Sequence, residues 1–276
     1  MEYDFHSTDR IDATIERGYT FSMSDYLNAG WEFFKNQAVL FVVFILVYLA
    51  GSAVINMIPI VGGIGRWIFV TPLAVGPGIV CYQMAKGRSV EFNQFFGGFK
   101  FLGQLLLASL VTGLLTVMAL IPLFIFLGIT IGSLMIDFFS LVSTTENPDP
   151  EQIFSILSQA INPVTILVSF LLFIPGFIVG VLYMFAPYFV IFYNLDFWPA
   201  MEYSRKLVMP KLLPFIGFII VLGLLNLLGA ICLIVGLLVT IPVSMIAGYA
   251  AFQMILGLDE DEGESEEDLI SNLVTD

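Results

Sequence analysis

Few side chains in this 276-residue sequence could do chemistry, and those few are mostly uncharged. There is one histidine, His6, near the start. The two cysteines, Cys81 and Cys232, both sit inside apolar runs, where a free thiol behaves as a small hydrophobe. Nucleophilic, metal and phosphate chemistry each require converging groups at characteristic spacing. The sequence has no HExxH, CxxC, GxSxG or GxxxxGK, and Gly62–Gly65 (GGIG) lacks the lysine that would make it a phosphate cradle. The chain is therefore not expected to be an enzyme, and no metal, cofactor or nucleic-acid partner is expected.

What remains is a set of amides and hydroxyls in otherwise apolar stretches: Asn56, Gln83, Gln104, Asn226 and Gln253, with Thr112, Thr116 and Thr130. Asn56, Gln83, Asn226 and Gln253 are the candidate pocket, able to hydrogen-bond a lipid headgroup or a small solute. The competing reading is interhelical hydrogen bonding worth about 0.6 kcal/mol each. Ion-coupled transport normally leaves an ionisable residue inside a span. Here Asp137 ends one apolar run and Arg66 lies at a turn, so neither fills that role.

The elements that must position these residues are membrane helices. The chain is 58% apolar and 12% charged, with 27 Phe, against roughly 45–50% and 25% in soluble domains. Mean hydropathy is +0.95. The net charge of −13 belongs largely to the segment Leu258–Asp276, which holds nine acidic residues and no Lys or Arg; the rest carries 10 basic against 14 acidic residues. Such a run reads as a solvated tail. Within it Leu269, Ile270, Leu273 and Val274 fall at helical spacing and could dock a protein partner's groove. Residues 1–21 are polar and mixed in charge, without the basic start and apolar core of a cleavable signal, and read as an N-terminal tail.

A helix crossing about 30 Å of hydrocarbon needs about 20 apolar residues. Residues 38–85 and 212–256 are each too long for one span and carry turn glycines near their middles (Gly62, Gly63 and Gly65; Gly229 and Gly236), so each reads as a hairpin. Residues 101–136 and 164–193 contain Pro122, and Pro175 with Pro187, but no polar turn. They read as single kinked helices running past the bilayer, six spans in all, although two further hairpins would give eight. With six spans and a cytoplasmic N-terminus, nine basic residues lie inside and only Arg66 outside, which satisfies the positive-inside rule; the eight-span count satisfies it too. The outer loop, Asn147–Asn162, offers Asp149 as N-cap and Pro150 as first helical residue of an amphipathic helix.

Part of the sequence recurs at an offset of 170. Glu32 falls on Glu202, Asn56 on Asn226, Ile64 on Ile234, Pro72 on Pro242, Gly78 on Gly248, Gln83 on Gln253, Met84 on Met254 and Gly87 on Gly257. The repeated unit is an interfacial helix plus a hairpin, over 22–87 and 196–257, within a six-span domain of 22–257. Ser22–Asp25 fits a capping box, and Leu27, Trp31 and Phe34 form an apolar stripe toward the inner leaflet. Phe92, Phe95, Phe96 and Phe99 form a similar stripe. GITIG (Gly128–Gly132) and GFIVG (Gly176–Gly180) read as helix-packing motifs. The fold class is all-α, a polytopic transmembrane helix bundle with an internal repeat.

Interfacial helix, hairpin, aromatic connector (SVEFNQFFGGF, Ser89–Phe99), two long Pro-bearing spans and a closing hairpin with GLLVTIP and GYAAFQ (Gly236–Pro242, Gly248–Gln253) resemble a group of bacterial six-span membrane proteins of uncharacterised activity. They are similar also to the membrane domain attached to some glycerophosphodiester phosphodiesterases. The resemblance spans about Tyr19–Leu258 and implies a bacterial inner-membrane location with both termini cytoplasmic. It carries over no catalytic residue. Two classes of function follow: a non-catalytic membrane scaffold or accessory subunit, in contact with membrane lipids and with protein partners through the acidic tail, or a lipid or small-solute transporter with its site between the repeats. A dry, aromatic centre favours the first, and a water-accessible cavity reaching Asn56 and Asn226 the second.

Overall fold

The computed structural model describes residues 6, 8–58, 62–145, 148–232 and 235–258. Pro59 at the first hairpin tip, Asn147, Ile234 and nearly all of the acidic tail lie outside the described residues. The described chain is all-α. Six stretches are long and apolar enough to cross a membrane: Ala38–Asn56, Gly62–Ala85, Phe92–Thr144, Pro150–Phe192, Phe197–Ile231 and Leu237–Leu256. This is the character of an integral membrane protein, and the two middle runs each form one long helical stretch rather than a buried hairpin.

In order, the helices are α1 (Thr8–Arg17), α2 (Met23–Asn36), α3 (Ala38–Asn56), α4 (Gly62–Leu73) and α5 (Gly76–Ala85). A 3₁₀ connector (Phe92–Phe101) leads into α6 (Leu102–Thr144), α7 (Pro150–Ala160), α8 (Pro163–Leu182) and α9 (Ala186–Phe192). Then come α10 (Phe197–Val208), α11 (Leu212–Ile231) and α12 (Leu237–Leu256).

Prolines set the breaks. Pro187 has no N–H to bond the Tyr183 carbonyl, and its ring crowds that carbonyl. The carbonyl is taken by the Ala186 N–H at 3.1 Å instead, and α8 hands over to α9. Pro77 likewise lacks an N–H and stands in the first turn of α5, just after the α4–α5 junction. The residues preceding the two restarted helices have nearly the same backbone, φ −90° ψ −11° at Val75 and φ −94° ψ −8° at Phe185.

The chain divides into two compact units, Met1–Leu110 with Val181–Asp276, and Val111–Gly180. In the first, α12 is the central helix, packed on α1, α2, α3, α5 and α11. The element order reads three times: a short amphipathic element (α2, the connector, α10), a long outgoing helix (α3, α6, α11) and a returning helix (α4–α5, α8–α9, α12). Each short element packs against the returning helix that precedes it, and α2 closes the sequence by packing against α12. A left-handed residue follows each returning helix: Gly87 (φ 64°), Asn194 (φ 51°) and Gly257 (φ 61°). In the second unit, Leu120 sits where a side chain on Gly176 would be, so α6 and α8 approach closely there.

Four sequence expectations need correction. Residues 1–21, read as an N-terminal tail, include a helix docked on the bundle: α1 buries Ile11, the His6 backbone N–H donates to the Phe192 carbonyl, and the Arg10 Nη1 donates to the Gly257 carbonyl at 2.8 Å. The buried face of α2 is Tyr26, Gly30 and Phe34, with Trp31 exposed, because Gly30 lets α2 settle onto Ala247 of α12. Ser22 is the N-cap by conformation, but its hydroxyl makes no capping bond. Of the glycine motifs, only Gly176 meets a neighbour; Gly128, Gly132 and Gly180 face open space.

Candidate functional site

The centre of the first unit is built from the returning helices and the short elements docked on them. With three residues per turn, the 3₁₀ connector aligns Phe92, Phe95 and Gly98 on one face. Phe95 is fully buried, stacked on Phe44 at 4.3 Å and edge-on to Phe41 at 5.5 Å. The connector reaches this depth because Gly98 lies against the Pro72 carbonyl and Gly76 against Phe95 backbone, leaving no room for a Cβ at either. The stripe expected along the leaflet is thus partly an inward anchor.

Where α5, α9 and α12 meet, aromatic rings fill the space. Tyr188 and Tyr249 pack edge-on at 5.7 Å, Phe189 and Phe252 at 5.0 Å, and Phe185 and Phe215 at 5.4 Å. Pairs of this kind contribute about 0.5–1.5 kcal/mol each beyond the area they bury. A Cβ on Gly78 would come within 2.9 Å of both Tyr188 and Tyr249, so this glycine makes space for the two rings.

Polar bonds bolt the short elements to this centre. Ser204 on α10 is fully buried; its hydroxyl donates to the Leu182 carbonyl at 2.8 Å and accepts from the Phe185 N–H at 3.2 Å. It thereby satisfies two backbone groups released by the α8–α9 break. Gln104 donates to Asp196 at 2.7 Å and accepts from the Phe197 N–H at 2.9 Å, so it caps the start of α10. The Trp67 indole donates to Ser109 at 3.0 Å. Tyr19 donates to the Leu207 carbonyl at 2.6 Å, and burial pushes its pKa upward.

The four candidate pocket amides are not brought to one place. Asn56 is exposed at the end of α3. Asn226 is half-buried on α11 and donates from Nδ2 to the Leu222 carbonyl and to the Ser244 hydroxyl, both at 3.0 Å. Gln83 and Gln253 are buried on α5 and α12. Their backbone carbonyls hold equivalent positions: Gln83 accepts from the Arg88 N–H at 3.0 Å, and Gln253 from the Leu258 N–H at 3.2 Å. With Gly87 and Gly257 left-handed, these are two copies of one glycine-terminated helix end. That accounts for the match of Gly87 with Gly257 at offset 170, whereas a backbone carbonyl does not require glutamine at either position. The matched charges agree too, since Glu32–Lys35 and Glu202–Arg205 form the same i,i+3 ion pair, each at 2.7 Å.

The remaining polar residues bond within their own helices: Thr116 to the Thr112 carbonyl and Thr130 to the Phe126 carbonyl. Among the described residues no three His, Cys, Asp or Glu side chains could share a metal ion. A groove of about 550 Å³ between α1 and the end of α12, lined by Asp9, Arg10, Arg17 and Tyr19, includes none of the four amides. Neither does a slot of about 450 Å³ between α6 and α7.

Sequence reasoning missed Ser204, Gly30 and Trp67. A serine among charged residues signals nothing about depth, whereas a glycine inside an amphipathic helix marks a close approach. Comparison with protein-family models, curated proteins and solved structures found no match.

Proposed function

We propose that this protein is a non-catalytic scaffold or accessory subunit of a bacterial inner membrane, with both termini cytoplasmic. The observation that carries the reading is the aromatic filling where α5, α9 and α12 meet, where a transporter would need a path. The pocket candidate Asn226 supports it, since its side chain joins α11 to α12, and Gln104 likewise ties the start of α6 to α10. The nine-to-one distribution of basic residues supports the orientation. We extend the internal repeat from two units to three, each a short amphipathic element, an outgoing helix and a returning helix. The supporting features are the shared Pro77 and Pro187 breaks and the three left-handed residues.

In this reading the acidic tail is the handle for a cytoplasmic protein partner. The test is purification of the full chain in mild detergent, with mass spectrometry of co-purifying proteins and lipids. A stoichiometric protein partner lost on truncation after Leu258 is expected. Solute uptake into proteoliposomes holding the purified chain alone would overturn the scaffold reading in favour of a transporter.

A further inference from the structure

We propose that the outer end of α6 and the helix α7 form an acyl-chain slot, which holds one hydrocarbon chain of a membrane lipid beyond the bilayer surface. The word outer rests on the orientation proposed above; the slot itself does not. The first premise is length. α6 has 43 residues. Even at a 40° tilt, the top of the usual range, about 30 Å of hydrocarbon takes up about 39 Å of helix, or about 26 residues. About 17 residues of α6 are left over.

Charge says where the excess lies. The sequence from 101 to 136 has no charged residue, and then comes Asp137, exposed on α6. A carboxylate is costly to bury in hydrocarbon, so the level of Asp137 is aqueous or interfacial. Asp149 and Glu151 on the neighbouring turn agree. Yet the helix does not turn polar there. Phe138, Phe139 and Val142 are exposed, Phe139 by 74%.

Between these residues and α7 lies the slot of about 450 Å³. Its wall is apolar throughout, formed by Leu134, Met135, Phe138 and Phe139 of α6 with Ile153 and Leu157 of α7. The helix α7 is held in shape by a capping box, Asp149 accepting from Glu151 N–H while Gln152 reaches back to the Asp149 N–H. An apolar slot at a charged level needs a cover.

Two observations identify the occupant. Exposed apolar residues of α6 (Phe124, Ile125, Ile129, Ile131) lead to the slot without a charge between them, so it is continuous with the lipid-facing surface. A chain sliding out of the leaflet reaches it, whereas a water-soluble ligand has no polar group to meet. Second, residues 111–180 contain four acidic residues and no Lys or Arg. That charge repels anionic headgroups and favours a headgroup carrying an ammonium. The ligand class is therefore a zwitterionic, ammonium-bearing lipid.

The test uses the full chain in nanodiscs of phosphatidylethanolamine and phosphatidylglycerol, with a trace of one or the other carrying a diazirine near the end of one chain. After irradiation, adducts are mapped by mass spectrometry. We expect adducts on 134–139 and 150–160 from the ethanolamine probe, and at least threefold fewer there from the glycerol probe. Ile153→Asp with Leu157→Asp should cut adducts in the slot at least fivefold. Adducts at Leu224 and Leu227, exposed on α11, should stay unchanged and report that the variant is inserted and folded. Slot adducts unaffected by the double variant, or no slot adducts while α11 is labelled, would overturn the proposal. Equal labelling by both probes would overturn the headgroup class. A dimer that the variant dissolves, without slot adducts, would assign the surface to a second copy and overturn the lipid. Ser158→Cys left unlabelled by an impermeant thiol reagent in intact cells would instead overturn the orientation alone.

Discussion

Replacing Ser204 with alanine tests how the short elements are tied to the core. The hydroxyl serves two backbone groups at once, Leu182 C=O at 2.8 Å and Phe185 N–H at 3.2 Å, at a position with no solvent access. Its removal leaves a buried N–H without an acceptor, costing about 1–3 kcal/mol, and forfeits a second bond of about 0.5–1.5 kcal/mol. Alanine's better helix propensity returns about 0.5 kcal/mol. The net loss is about 2.5 kcal/mol, or roughly 5–10 °C at the 2–4 °C per kcal/mol typical of chains near this size. The assay is thermal unfolding of the purified protein in one detergent, with Ser133→Ala as reference. The Ser133 hydroxyl is exposed and bonds only its own helix at the Thr130 carbonyl, so its loss should be nearly silent. If Ser204→Ala lies within about 0.5 kcal/mol of the parent, the bolt at the α8–α9 break is not structural and the reasoning fails.

Gly30→Leu should lower stability by about 1–3 kcal/mol through overpacking, because the first added carbon already meets Ala247 Cβ at 2.9 Å and its backbone nitrogen at 3.0 Å; an unchanged melting temperature would count against the α2–α12 contact. Gln104→Leu should cost about 1–2 kcal/mol by uncapping α10, and Asp196→Ala in the same background should add little, since the two share one bond. A reporter fused after Thr145 should read outside the cytoplasm and one fused after Leu258 inside; an inside signal at Thr145 would sink the six-span topology.

The parts legible in the sequence were those where water and lipid meet along the chain. Apolar run lengths gave the spans, and Asp149–Pro150 marked the start of α7, because capping is local chemistry. The match of Glu32 with Glu202 was visible as an offset, and the structure adds that each holds the basic residue three positions on. Less was legible inside the membrane. There every face of a helix is apolar, so periodicity does not distinguish a lipid-facing residue from a packed one. Asn56 and Asn226 illustrate this: equal by register, one is exposed and the other joins α11 to α12. The connector's depth depends on the tighter 3₁₀ turn and on glycines facing carbonyls, neither of which hydropathy records. The likeness between the Pro77 and Pro187 breaks is not visible as a sequence offset, because the helix after Pro187 is three residues shorter than the one after Pro77: the prolines lie 110 apart, Gly87 and Asn194 only 107.

The most direct test of the central claim, a packed centre without a water path, is thiol accessibility at Gln83 and Gln253, exposed by only 5% and 3%. Each is changed to cysteine in a chain whose Cys81 and Cys232 have been replaced by alanine, with Ser158→Cys as the exposed reference. A membrane-impermeant thiol reagent is applied from both sides of the membrane. The account expects Ser158→Cys to react promptly and both core cysteines to stay protected until the protein is denatured. Labelling of Gln83→Cys and Gln253→Cys in the native protein at a rate near the reference, slowed by an added solute, would contradict it.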